Sequence, residues 1–178
     1  MIAPERLATD RLTLRPLLPT DAEALFPAFS DPELMTWWSS GPHATVEETR
    51  AYIAPDGGYG DEWLAWAITL SDKEAMGRVG AGMRRPGVWE IGYLLRRDLW
   101  GKGFAREAVG AVVDHLFADK AARRVFADVD PDNVLSIGLL RRLGFKEEGR
   151  LRGEWKTHLG VRDSLIFGLL RDEWNGAR

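Results

Sequence analysis

Cysteine is absent from the 178 residues of the chain, and histidine is scarce. Without a thiol, the protein forms no disulfide, no thiolate metal site and no acyl-enzyme on a cysteine. The three histidines, His43, His115 and His158, are scattered, and none has a second ligand at metal-binding spacing. We therefore expect no zinc site and no other metal site.

An excess of positive charge is also missing. The chain has 24 Lys and Arg against 27 Asp and Glu, a formal net charge of -3, whereas a nucleic-acid-binding protein needs surplus cations to neutralise phosphates. No apolar run approaches the roughly 20 residues that cross a bilayer, and no basic segment followed by an apolar one opens the sequence. We therefore expect a cytoplasmic protein without a nucleic-acid or membrane partner, in which residues 1–178 form one domain.

Apolar residues with a period of two predict several strands. Leu12 and Leu14 alternate with polar residues and predict an opening strand that ends at Pro16. Further on, apolar and β-rich segments separated by turn-forming residues predict an antiparallel meander at residues 63–70, 76–83 and 89–95.

The second half of the chain favours helices between strands. Residues 104–117 have helical spacing, and a β-branched run at 125–129 follows, which predicts a strand, helix and strand crossover. Segments at 145–151 and 163–170 complete an α/β layout. Helix N-termini are predicted at two capping boxes and two further caps: Thr20 with Glu23, Thr45 with Glu48, Asp31 before Pro32, and Asp132 or Asn133.

A glycine-containing loop lies between the third meander strand and the amphipathic helix. Its residues are Trp100, Gly101, Lys102, Gly103, Phe104 and Ala105. Glycines let an anion approach the backbone, and the N–H groups of the first helical turn bind phosphate oxygens. We expect these N–H donors from Gly103, Phe104 and Ala105, with positive charge added by Lys102 and Arg106.

Three other structures could contain such a loop. A tight strand-to-helix turn would also use two glycines. A dinucleotide-binding fingerprint needs a third glycine where Arg106 stands, and a phosphate loop of the Walker type needs a Gly-Lys-Ser or Gly-Lys-Thr sequence that the chain lacks. The neighbouring residues therefore decide the interpretation.

The neighbouring residues form a recognisable series along the chain. It consists, in order, of Glu90, Ile91, Gly92 and Tyr93, of residues 100–105 with Glu107 and Ala108, and of Asn133, Ser136, Leu143, Gly144 and Phe145. This series resembles the GNAT superfamily of acetyltransferases. The opening residues 9–15 are similar to the RimJ/RimL branch, whose members acetylate protein N-termini. The resemblance runs from about Thr9 to about Leu170, nearly the whole chain.

The resemblance implies a central mixed, mostly antiparallel sheet, flanked by helices and splayed open where acetyl-CoA binds. The pyrophosphate loop of the family falls on residues 100–105, with Trp100 departing from the family's usual Gln or Arg and Ala105 a permitted ending. The strand before the loop holds the pantetheine arm through main-chain bonds. The cofactor contacts outside the loop are implied at Tyr93, Leu94, Leu95, Asn133 and Ser136.

Two catalytic residues follow from the resemblance. Glu90 would be the general base, acting through water, and Ser136 would protonate the departing thiolate. Each has an alternative: a strand glutamate beside Trp89 can simply face solvent, and a serine near a helix start can be a cap.

The acceptor side is expected at Trp37, Trp38 and Trp155, since the family builds it from the N-terminal helices and the loop between the last strands. Core packing or a subunit contact would also use these tryptophans. A homodimer is an expectation at the level of the family only.

The protonation state of an amine limits which amines can act as the acceptor. An amine attacks a thioester only when neutral, and deprotonating a lysine side chain at neutral pH costs about 3 kcal/mol more than deprotonating an α-amino group. With no cysteine, direct attack is the simplest route. We expect transfer to a protein N-terminal amine, with a small amine such as a polyamine or aminoglycoside as an alternative and a noncatalytic acyl-CoA-binding module as another.

Overall fold

The computed structural model describes residues 4–54 and 63–176, which form one eight-stranded sheet with helices on both faces. The sheet order is β1-β2-β3-β4-β5-β6-β8-β7. Its strands are β1 (Leu7–Ala8), β2 (Thr13–Pro16), β3 (Trp63–Thr69), β4 (Ala75–Arg85), β5 (Val88–Leu95), β6 (Arg124–Val129), β7 (Lys146–Thr157) and β8 (Gly160–Leu170). The helices are α1 (Ala22–Phe29), α2 (Pro32–Met35), α3 (Val46–Ile53), α4 (Phe104–Ala118) and α5 (Val134–Arg142). No helix in the described part of the chain is long and apolar enough to cross a membrane.

The predicted meander is confirmed by β3, β4 and β5, which pair antiparallel in sequence order. Trp63 pairs with Gly82, and its indole lies over both Gly82 and Gly80. A Cβ on Gly80 would come within 2.7 Å of that indole, so these two positions of β4 have no room for a side chain.

The sheet is splayed between β5 and β6, as the resemblance implied. These two strands are parallel and joined by α4, and their pairing runs only from Val88 with Arg124 to Glu90 with Phe126. Beyond Glu90 the two strands separate. All other neighbouring strands are antiparallel among the described residues, so the sheet is mixed and mostly antiparallel.

The two faces of β5 are covered by different helices. Trp89, Ile91 and Leu95 join the apolar cluster that includes α4, whereas Leu94 joins the cluster that includes α1. Because side chains alternate along a strand, Glu90 shares the face of Leu94 and looks toward the N-terminal helices. The two faces of β5 are therefore built from alternate residues.

Three of the four predicted caps are confirmed. Asp31 accepts hydrogen bonds from the N–H groups of Glu33 and Leu34, Thr45 accepts one from Glu48, and Asn133 accepts one from Ser136. The predicted box at Thr20 is wrong. The carboxylate of Asp21 instead accepts from the Leu18 N–H and pairs with Arg15, so the turn before α1 is closed by Asp21.

The last two strands extend further than predicted. They continue as a hairpin to Thr157 and Gly160. The sequence did not predict this extension, because β7 is exposed along most of its length and shows no apolar alternation. Trp155 consequently lies in β7 and not in a loop between strands.

Candidate active site

A cavity of about 430 Å³ opens where β5 and β6 separate. Every predicted cofactor residue except Lys102 lines it: Tyr93, Leu94, Leu95, Trp100, Gly101, Gly103, Phe104, Ala105, Arg106, Asn133 and Ser136. Further lining residues include Gly92, Asp128, Leu135, Leu139 and Arg142. The splay, the loop and the start of α5 therefore meet around one space, which is called the cofactor cavity below.

The glycine loop has the conformation that an anion site needs. Gly101 and Gly103 have φ values of 76° and 80°, in the left-handed region that other residues enter only at a cost. The helix α4 starts directly afterwards at Phe104, so the N–H groups of its first turn lie at the cavity.

Two side chains of the loop bond to the segment that precedes it, and one of them, Lys102, departs from the prediction. The indole N–H of Trp100 donates to the Leu95 carbonyl at 2.8 Å, so this departure from the family pattern ties the loop to the end of β5. The Lys102 ammonium donates to the Asp98 carbonyl at 3.1 Å, and Lys102 is not brought to the cavity.

Arg11, which was not among the predicted site residues, holds this loop from outside. Its guanidinium donates to the Lys102 carbonyl at 2.9 Å and to the Glu107 carboxylate at 2.7 Å, and it lies 4.8 Å from the centre of the Phe104 ring. Burial alone would raise the pKa of Glu107, but hydrogen bonds from Thr9 and Arg11 bring this pKa below its ordinary value. No local pattern signals the contact, because Arg11 and Lys102 are 91 positions apart.

Two hydroxyl groups lie close together at the N-terminus of α5. The Tyr93 hydroxyl lies 2.5 Å from the Ser136 Oγ. Asn133 supplies the cap, since its Oδ1 accepts from the Ser136 backbone N–H at 3.1 Å, which leaves the serine hydroxyl for other contacts. Burial raises the pKa of Tyr93, so the phenol keeps its proton at neutral pH.

A second cavity of about 210 Å³ adjoins the first on the face toward the N-terminal helices. The structure brings together here the predicted acceptor residues Trp37, Trp38 and Trp155 and the predicted base Glu90. The Glu90 carboxylate accepts from Arg84 at 2.5 Å, and its side chain is only 20% exposed, so it does not simply face solvent. This space is called the acceptor cavity below.

The two cavities share a wall. Gly92 and Asp128 line both, as do Trp37, Trp38, Ile91 and Asp130. A Cβ built on Gly92 would meet no atom within 4 Å, so the absence of a side chain leaves open space at the junction. Neither Gly92 nor Asp128 was predicted as a site residue, because their importance depends on where two strands separate.

Comparison with known proteins agrees with this geometry. Residues 11–146 match the family model of the acetyltransferase (GNAT) domain. An uncharacterized N-acetyltransferase of Bacillus licheniformis, p20, is 37% identical over 177 residues, covering 97% of this chain and 99% of that protein.

Solved structures agree as well. A GCN5-related N-acetyltransferase from Brucella melitensis has a TM-score of 0.82 at 26% identity, covering 97% of this chain and 82% of that one. Mycobacterium smegmatis RimJ in complex with CoA-disulfide has a TM-score of 0.82 at 25% identity, covering 98% and 91%.

A splayed mixed sheet with a glycine loop at a helix N-terminus defines an acyltransferase fold built around a phosphate-bearing cofactor. The chain belongs to the GNAT family of acetyltransferases and is an N-acetyltransferase.

Proposed function

We propose that the chain transfers the acetyl group of acetyl-CoA to a protein N-terminal α-amine by direct attack within a ternary complex. The observation that carries this proposal is the junction of the two cavities at Gly92, where a thioester from one side can meet an amine from the other. The complex of M. smegmatis RimJ with CoA-disulfide supports a CoA compound as the ligand of the cofactor cavity.

The cofactor is held through backbone groups in this proposal. The pyrophosphate binds the N–H groups of Gly103, Phe104 and Ala105, where the glycines allow close approach. Among the described residues, no strand pairs with residues 93–95 of β5 on the β6 side. Their backbone groups that point to that side are available to the amides of the pantetheine arm, apart from the Leu95 carbonyl, which accepts from Trp100.

The transfer step needs one proton removed and one supplied. The neutral amine nitrogen attacks the thioester carbonyl carbon, the C–S bond of the tetrahedral intermediate breaks, and the thiolate takes a proton from the Ser136 hydroxyl. The Tyr93 hydroxyl, still protonated at neutral pH, stabilises the resulting serine oxygen across their 2.5 Å contact, and water restores the proton of Ser136. The amine proton passes through water to Glu90 at the edge of the acceptor cavity.

Two arguments favour a protein N-terminal α-amine as the acceptor: its protonation state and the resemblance of the chain to the RimJ/RimL branch. A protein α-amino group is neutral in a larger fraction than a lysine side chain near neutral pH. The opening residues 9–15 are similar to the RimJ/RimL branch, and the chain has the overall fold of M. smegmatis RimJ. A small amine as acceptor, and binding of acyl-CoA without turnover, are outcomes of the test below.

The test begins with calorimetric titration of the purified protein with acetyl-CoA, using NADH and ATP as controls. Acetyl transfer is then followed by release of free thiol with a peptide whose N-terminus is free, the same peptide with an acetylated N-terminus and one lysine, and spermidine. We expect the protein to bind acetyl-CoA but neither NADH nor ATP, and to acetylate only the peptide with the free N-terminus. Binding without turnover would favour the noncatalytic module, and turnover with spermidine alone would favour the small amine.

The role of Glu90 is tested separately. Glu90→Gln should lower kcat/KM most at the acidic end of the range from about pH 6 to 9, because a base is needed most where the amine is protonated. An unchanged pH profile would remove Glu90 from the mechanism.

A further inference from the structure

Asp128 lies across the opened sheet from Gly92. The last pair of the parallel strands is Glu90 with Phe126, and Gly92 and Asp128 each follow it by two residues. Because side chains alternate along strands, Asp128 shares the face of Glu90 and looks toward the acceptor side. It lines the acceptor cavity and the cofactor cavity, so it borders the place where amine and thioester meet.

Three carboxylates line the acceptor cavity, and two of them have a cationic partner. Glu90 pairs with Arg84 at 2.5 Å, and Asp130 pairs with Arg162 at 2.8 Å. Asp128 forms no ion pair with any lysine, arginine or histidine of residues 4–54 and 63–176. Its negative charge is therefore the one that no protein cation within those ranges pairs with.

Neutral donors fix the orientation of this carboxylate. The indole N–H of Trp155 donates to its Oδ2 at 2.7 Å, and the hydroxyl of the fully buried Ser164 donates to its Oδ1. An ionised carboxylate has about four acceptor sites, so two stay available after these bonds. The group is held in place before any ligand arrives, which lowers the entropy cost of binding one.

Three arginines also line this cavity, Arg78, Arg84 and Arg162, and two of them pair with Glu90 and Asp130. Asp128 is the one of the three carboxylates with which a cationic ligand can pair. A half-buried carboxylate without a charged partner is costly, and an ammonium group that bonds to it offsets that cost. Trp37, Trp38 and Trp155 line the same cavity, and indole faces attract cations.

We propose that Asp128 binds the ammonium form of the acceptor amine and makes the enzyme select cationic primary amines over uncharged nucleophiles. This inference rests on the acetyl transfer proposed above. Asp128 holds the ammonium at the junction with the cofactor cavity, Glu90 takes one of its protons through water, and the neutral amine then attacks the thioester. Its contribution therefore appears in the KM for the acceptor more than in kcat.

The experiment compares Asp128→Asn with the wild type at about pH 8, where an N-terminal α-amine is partly protonated. Acceptors are a peptide with a free N-terminus and hydroxylamine, which is uncharged at this pH. Losing a charge-assisted hydrogen bond should raise the KM of the peptide about 10- to 100-fold and leave the rate with hydroxylamine within about 2-fold. The Kd for acetyl-CoA checks that the variant folds.

The matched control is Asp114→Asn. Asp114 also accepts an indole N–H, from Trp174 at 2.6 Å, but it lines neither cavity, so its peptide KM should stay unchanged. A second measurement needs no variant: the des-amino form of the peptide should inhibit the wild type at least about 10-fold more weakly than the free-amine form binds.

Each result has one meaning. An unchanged peptide KM in Asp128→Asn, or a fall in kcat alone, overturns the role of Asp128 while acetyl transfer itself stands. Equal affinity of the two peptide forms overturns it as well, even if Asp128→Asn does not fold. A wild-type protein that acetylates no amine removes the proposed function, and that result is read before any variant is compared.

Discussion

Replacing Gly92 with alanine should separate stability from activity. In the free protein the new Cβ would meet no atom within 4 Å, so it creates no clash. Glycine within a strand is less stable than alanine by roughly 0.5 to 1 kcal/mol, and for a chain of this length Gly92→Ala should therefore raise Tm by about 1 to 4 °C.

The same methyl group fills space at the junction of the two cavities. A displacement of about 1 Å at a reacting centre can cost about 100-fold in rate, so kcat/KM for acetyl transfer should fall by about 10- to 100-fold. Differential scanning calorimetry and the free-thiol assay measure the two effects on one preparation. Gly149→Ala, in β7, is the control, because its Cβ also meets nothing within 4 Å and Gly149 lines neither cavity.

The reasoning would be refuted in either of two ways. Full activity in Gly92→Ala would mean that the thioester does not reach this junction. A lower Tm would mean that the space above Gly92 is filled in the folded protein.

Three further predictions concern the site and its support. Ser136→Ala should lower kcat by about 100-fold or more and change the Kd for acetyl-CoA far less, since the cap from Asn133 uses the backbone N–H and is kept. Stopped-flow kinetics and calorimetry measure the two quantities. Gly103→Ala should lose roughly 1 to 2 kcal/mol of stability, because φ is 80° there, and should weaken acetyl-CoA binding in the same titration. Burial lowers the pKa of His43 in the folded protein. As the pH falls, the imidazole therefore takes up a proton in the unfolded chain before it does so in the folded protein. The free energy of unfolding should thus decrease as the pH falls below the ordinary histidine pKa of about 6.5. Urea unfolding at about pH 7.5 and 5.5 should show that loss in the wild type and a smaller one in His43→Gln.

Local chemistry explains which parts of the fold were predictable. The caps at Asp31 and Thr45 and the glycine loop depend on neighbours within a few residues, and each formed as expected. The prediction at Thr20 was wrong because Asp21, and not Thr20, closes the turn before α1. The Asp21 carboxylate is held there by an ion pair with Arg15, six positions away on β2. The hairpin of β7 and β8 was underestimated because strand periodicity depends on one buried face, which β7 mostly lacks.

The candidate site also contains residues that local sequence patterns predict and residues that they do not. The residues of the glycine loop and of the start of α5 belong to short motifs that are continuous in the sequence. The sequence alone could therefore predict them as candidate site residues. The junction at Gly92 and Asp128 arises where β5 and β6 stop pairing, and the contact of Tyr93 with Ser136 joins a strand to a helix 43 positions later. Such features depend on tertiary geometry, and no short-range pattern announces them.

The hold of Arg11 on the loop also bears on how the protein reaches its native state. Thr9 and Arg11 contact Glu107 and Lys102 across more than 90 positions of the chain. Closing so long a loop costs entropy, and the contacts that offset this cost form only when much of the sheet has formed. Competence to bind the cofactor should therefore arrive late in refolding.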